Sequence, residues 1–142
     1  MGKINSRKTT VDGITFDSQT ESEFYKHLMG RDDVKDIELQ PHFILMDEFT
    51  VSCGRCVKGK VPSPKTGNPI NCRTCRGTGE RTRRQWSYTA DFRIIWDEGH
   101  EDIVDVKGWA NERFPLVRKM FEYRHGKELL VVKKQKNGWR YV

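Results

Sequence analysis

Two Cys-x-x-Cys pairs, Cys53-Gly-Arg-Cys56 and Cys72-Arg-Thr-Cys75, stand fifteen residues apart. No other feature limits the chain as tightly. The C-x2-C-x15-C-x2-C spacing lets two tight turns present four thiolates to one ion, the pattern of tetrahedral Zn2+. Once both turns share an ion, the residues between them must double back. Gly54, Gly59, Gly77 and Gly79 relieve the backbone beside the sulfurs. The protein supplies all four ligands and leaves no open position, so a structural metal is expected rather than a catalytic one. Two disulfides are the competing reading, disfavoured by the paired spacing and by a chain that reads as cytoplasmic.

The same segment carries the charge. From Cys53 to Arg84, nine cations (Arg55, Lys58, Lys60, Lys65, Arg73, Arg76, Arg81, Arg83, Arg84) face Glu80 alone, giving +8 against a formal +6 for all 142 residues. The remainder is therefore slightly acidic. Zinc with four thiolates contributes about −2, so the finger stays positive. A polyanion, most simply nucleic acid, is the expected partner; a solubilising charged loop is the bland alternative. Arg55, Lys58, Lys60, Arg73, Arg76, Arg81, Arg83 and Arg84 are the candidate phosphate contacts. Residues 51–84 read as an inserted four-cysteine zinc finger, with residues 1–50 and 85–142 forming the core around it. The second pair, with Gly77 and Gly79 after it, resembles one repeat of the zinc domain of the DnaJ chaperones, which bears only on local knuckle geometry.

Beyond the finger, Tyr88-Thr-Ala-Asp91-Phe-Arg-Ile-Ile-Trp96 and Ile103-Val-Asp105-Val-Lys107-Gly-Trp109 read as strands, joined by a turn at Asp97-Glu-Gly99-His. Alternation puts Asp105 and Lys107 on one face. Asp91 and Asp105 lie at similar distances from the turn, so folding brings them together. Carboxylates so placed repel unless a divalent cation sits between them, and Mg2+ suits oxygen ligands. Solvated surface charge is the ordinary alternative for an Asp-x-Lys triplet. Here the triplet is embedded among Ile103, Val104, Val106 and Trp109, where charge needs a reason.

Phe24, Tyr25, Leu28 and Met29 recur at helical spacing before Gly30. Glu21 falls in the first turn, where Ser18-x-x-Glu21 also reads as a capping box, and Thr20-x-x-Glu23 offers the same one register later. Cap and ligand stand even for Glu21 on this evidence, with Glu23 the alternative acid. Residues 37–46 read as a strand broken at Gln40-Pro41. Residues 112–125 read as a second helix, with Pro115 in its first turn and Gly126 after it. Residues 128–132 read as a buried strand, and Asn137-Gly138 turns into a terminal hairpin. Residues 1–12 read as a basic arm with Lys3, Arg7 and Lys8. The fold class is therefore α/β, an α+β arrangement on a mixed sheet in the order αβββαβ, the last strand joining in parallel. With no long apolar run and no secretory signal, a cytoplasmic protein without membrane contact is expected.

Three stretches carry a family likeness: Phe16-x-Ser18-x-x-Glu21, Tyr88-Thr-Ala-Asp91-Phe92 and Val104-Asp105-Val-Lys107-Gly108-Trp109. Together with the element order they resemble the PD-(D/E)xK nuclease superfamily, especially phage Holliday junction resolvases and phage endonuclease I. Asp12 to Ser18 is also similar to an Asp-Gly-Ile-x-Phe-Asp-Ser stretch of other phage nucleases. Asp105 stands where many relatives have Glu, and the lysine that relatives carry on the second helix has no clean equivalent beyond Arg118 or Lys119. The resemblance implies a restriction-endonuclease-like core and a DNA endonuclease acting on branched DNA in recombination, from a phage in its host's cytoplasm. It implies Asp91, Asp105, Glu21 and the Val106 carbonyl as ligands of Mg2+ (or Mn2+), and Lys107 as the residue that orients or helps deprotonate the attacking water. It implies a homodimer, since resolution needs two matched cuts. Another structure-specific or nicking nuclease, or a non-catalytic zinc-finger nucleic-acid binder, are the alternatives.

Overall fold

The computed structural model describes residues 8–107 and 113–142. Lys3, Arg7, Gly108, Trp109 and Glu112, named above, lie outside the described residues. The chain forms two compact units, Met1–Phe43 with Tyr88–Val142, and Ile44–Ser87.

The first unit is a mixed α+β structure. A short hairpin of β1 (Thr9–Val11) and β2 (Ile14–Phe16) turns at Asp12-Gly13 and leads into α1 (Gln19–Met29). Ser18 caps the helix, its Oγ accepting the Glu21 N–H at 3.1 Å. β3 (Val34–Leu39) and β4 (His42–Met46) follow, separated by Gln40 at φ 51°. The anticipated break at Gln40-Pro41 is thus a full separation into two strands: the left-handed turn re-aims the chain, and β4 leaves the main sheet to pair with β9 (Trp86–Thr89). Then come β10 (Phe92–Trp96), β11 (Glu101–Val106), α2 (Phe114–His125), β12 (Leu129–Gln135) and β13 (Gly138–Tyr141). The sheet order is β13-β12-β11-β10-β3. β3, β10 and β11 are antiparallel, and β12 joins β11 in parallel after α2, as the connection lengths require. Gly126 ends α2 in the left-handed region at φ 63°, which a glycine adopts without penalty.

Phe92, Ile94, Trp96, Val104, Val106 and Val132 pack with Phe24, Tyr25 and Leu28 of α1 into one core. Alternation sends Ile103, Asp105, Leu129 and Val131 to the opposite face, where all four are buried. α2 lies against β12 and buries Phe121. Phe24 is fully buried and meets Phe92 and Trp139 edge-to-face, with ring centroids 5.4 and 5.0 Å away. Phe24→Ala should therefore cost about 3–5 kcal/mol. Urea unfolding read by tryptophan fluorescence checks this; a loss under about 1 kcal/mol would mean the ring is not a keystone.

In the second unit β5 (Phe49–Ser52) pairs with β8 (Glu80–Arg83), and β6 (Lys60–Pro62) with β7 (Pro69–Asn71). The unit is wider than residues 51–84, because strand pairing continues outward past the cysteines. Among the described residues no helix is long and apolar enough to cross a membrane.

Candidate acidic site and metal centre

Register alone builds most of the acidic site. Phe92 pairs with Val104, which sets Asp91 opposite Asp105 one step further along. Asp91 does not sit inside one long strand, as its sequence context suggested; it occupies the break between β9 and β10. There the two aspartates exchange bonds through the backbone. The Asp91 N–H donates to Asp105 Oδ1 at 3.1 Å, and the Val106 N–H donates to Asp91 Oδ2 at 2.8 Å. Lys107, just past β11, places Nζ 3.1 Å from Asp105 Oδ2 and 4.3 Å from the Phe114 ring centroid. Asp105 is 2% exposed, and a buried carboxylate persists only when its oxygens are satisfied.

Tyr88 completes that satisfaction, its hydroxyl donating to Asp105 Oδ2. Burial first, then the Asp105 charge, pushes the phenol pKa up, so it remains a donor. The contact spans seventeen positions, and no local sequence signal marks Tyr88 as a partner of Asp105.

The structure separates the two candidate glutamates. Glu23 is taken by Lys134 and by Gln19 Nε2 at 3.4 Å. Glu21 instead faces the aspartates. Burial pushes its carboxyl above the ordinary value, Asp17 and Asp105 add to the shift, and Ser18 and Lys107 oppose it. Its backbone N–H serves the cap, and its carboxyl also bonds the Ser18 side chain. A small cleft of about 100 Å³ opens beside Glu21, Asp91 and Gln40. Larger clefts of about 420 and 460 Å³ lie around Arg31 and Trp96 and contain none of these acids.

Burial, then the charges of Asp105 and Glu21, pushes Asp91 from 3.8 to about 8. A carboxyl raised on folding holds its proton more tightly folded than unfolded. Its stabilising contribution is complete below about pH 4 and is lost as pH rises through about 8. Without added Mg2+, the stability of wild type relative to Asp91→Asn should therefore fall as pH rises from about 4 through about 8. Urea midpoints of both proteins across that range test it; a flat difference contradicts the raised carboxyl.

In the second unit the four cysteines are free, and their sulfurs lie within 4.8 Å of one another. Cys56 Sγ and Cys75 Sγ are 3.7 Å apart. That is far beyond a disulfide bond and close to the roughly 3.8 Å edge of a tetrahedron with Zn–S bonds of about 2.3 Å. The cluster can hold a metal such as zinc. Burial opposes ionisation of Cys75, but the Gly79 N–H, the Cys56 thiol and the Gly77 N–H bring it down to about 6. Burial and the Cys53 sulfur push Cys56 up to about 12, so one thiolate is shared among neighbouring thiols until a metal takes the protons' place. The two knuckles meet at Gly59, φ +86°, where an added Cβ would lie 2.3 Å from the Gly77 carbonyl oxygen. No side chain fits there. Among the described residues, only this cysteine group brings three or more such ligand atoms within 4.8 Å of one another; Glu21, Asp91 and Asp105 are a looser set.

Arg55, Lys58, Arg73, Arg76, Arg83 and Arg84 are exposed and Arg81 is half-buried. Lys60 is engaged, its Nζ donating to Asn71 Oδ1 at 2.6 Å.

Residues 1–138 match the family model described as "Protein of unknown function (DUF1064)". The chain belongs to that family. No curated protein and no solved structure matches it.

Proposed function

We propose that the chain is a Mg2+-dependent endonuclease of branched DNA, built on a restriction-endonuclease-like core and carrying a zinc-bound basic finger. The observation that carries this reading is the pairing of Asp91 with Asp105 across one register step, with the Lys107 ammonium on the same Asp105 carboxylate. The donor set fits a hard divalent cation. Burial first, then neighbouring carboxylates (Asp105 and Glu21 for Asp91, Asp17 and Asp105 for Glu21), raises both acids, and a cation among Glu21, Asp91 and Asp105 would relieve the repulsion between them. Mg2+ keeps several waters and takes only one or two carboxylates directly. Asp91 and Asp105 would hold the ion, with Glu21 and the Val106 carbonyl as further oxygens; Mn2+ would serve in its place. When bound, such an ion supplies Lewis acidity at the phosphate and at the leaving oxygen.

The protein's own groups would do the rest. Lys107, pinned between Asp105 and the face of Phe114, orients the attacking water and offsets charge building on the phosphate. Tyr88 fixes the Asp105 carboxylate plane. The finger's exposed arginines and lysines grip phosphates, which positions the DNA without reading its sequence. Two matched cuts on a junction call for a homodimer with two such sites.

Purified protein incubated with a four-way junction and Mg2+ should yield paired nicks near the crossover. Intact junction with Mg2+ and with Mn2+ would exclude the resolvase reading. Cleavage confined to flapped or nicked substrates would move the task but keep the chemistry.

A further inference from the structure

We propose that one face of the β5–β8 ribbon is a stacking platform for unpaired DNA bases. Phe49 stands directly opposite Arg83, and Val51 opposite Arg81. Side chains alternate along a strand, so these four share one face, while Thr50, Ser52, Glu80 and Thr82 share the other. Phe49 is 42% exposed and Val51 36%. The ribbon's single carboxylate, Glu80, lies on the far face, so apolar surface and both guanidinium groups are collected on one side. Neither Arg81 nor Arg83 takes part in an ion pair among the described residues.

That combination selects a partner. Residues 44–87 hold nine Lys and Arg against three Asp and Glu, so the partner is anionic. An anion that also offers flat π surface is a nucleic acid strand, its phosphates meeting the arginines and a base covering the phenyl ring. Duplex DNA hides its base faces inside the stack; an unpaired stretch, such as a branch point or frayed end exposes, does not. Duplex can meet the arginines but not cover Phe49. The Cys53 N–H donates to the Gly79 carbonyl at 2.8 Å, so the ladder runs directly into the cysteine knuckles. A metal on the four sulfurs would tie down that end of the ribbon and limit the ordering cost of binding.

This inference rests on the reading of DNA as the partner, and the test separates the two. The zinc-loaded full chain is titrated, by fluorescence anisotropy, against a labelled single strand of about a dozen nucleotides and against the same sequence as duplex. Phe49→Ala should weaken single-strand binding about 5- to 100-fold and leave duplex binding within about twofold. Phe49→Leu, which keeps the apolar bulk but removes the π face, should behave like Phe49→Ala, and Phe49→Trp should retain wild-type affinity. Arg83→Ala should lower the salt slope for both DNAs. Unchanged single-strand affinity in Phe49→Leu, or an equal loss on both DNAs, overturns the platform. If wild type binds both DNAs with steep salt dependence and Phe49→Leu is silent, only the platform falls. If wild type binds neither, DNA is not the partner, and both the platform and the nuclease reading fall with it.

Discussion

Asp91→Asn should lower Mg2+-dependent cleavage by about a thousandfold or more while leaving DNA binding intact. The estimate follows from the task the carboxylate would perform. A bound divalent cation stabilises developing charge by several kcal/mol, and each 1.36 kcal/mol is about a factor of ten in rate. Asparagine keeps an acceptor for the Val106 N–H, which now donates to Asp91 Oδ2 at 2.8 Å, so the junction between β9 and β10 should survive. The substitution removes a charge that burial and two neighbouring acids disfavour. At about pH 8 without added Mg2+, the variant should therefore be at least as stable as wild type, by up to a few kcal/mol. A residue lost from activity but gained in stability is the signature of a functional carboxylate rather than a structural one. Cleavage assays, anisotropy and urea midpoints together decide the point. Unaltered cleavage with unaltered binding would mark the activity as a contaminant and leave a non-catalytic zinc-finger binder.

The second large effect is expected from Cys72→Ser. It should unfold residues 44–87 while the five-stranded sheet persists. Among the described residues of this unit, Leu45, Cys53, Cys72 and Cys75 are its buried hydrophobic side chains, which is too little apolar surface to hold so short a segment folded. Structural zinc supplies about 10–16 kcal/mol in small metal-stapled peptides, and that free energy is the folding free energy. The sheet has its own core around Phe24, Phe92 and Val104, which contains none of the cysteines. Amide exchange reads both units in one experiment. The Cys53 and Cys72 amides, bonded to the Gly79 and Gly59 carbonyls at 2.8 Å each, should lose protection. The β10 and β11 amides should keep theirs. Equal protection in wild type and variant would show that the cysteines are not the staple.

Several features are legible without a structure because they depend on near neighbours. The cysteine spacing states how four sulfurs can meet. The short turn between β10 and β11 fixes which residue faces which, and so puts Asp91 beside Asp105. Helical periodicity exposes the inward face of α1, and the long connection through α2 dictates a parallel β12. Each is a matter of chain distance or residue period, which sequence carries directly.

Other features wait on packing. The pairing of Lys134 with Glu23 joins residues 111 positions apart and leaves Glu21 to the acidic group. Tyr88 reaches Asp105 only because the chain turns between β9 and β10, and Gln40 adopts its left-handed turn only where β3 must stop and β4 must leave the sheet. Phe49 meets Arg83 because the ladder extends outward from the knuckles, a register no periodicity announces. Local pattern tells each residue which way to face. Which distant residue it then meets is settled by the collective packing of strands and helices, whose free energy belongs to no single stretch of the chain.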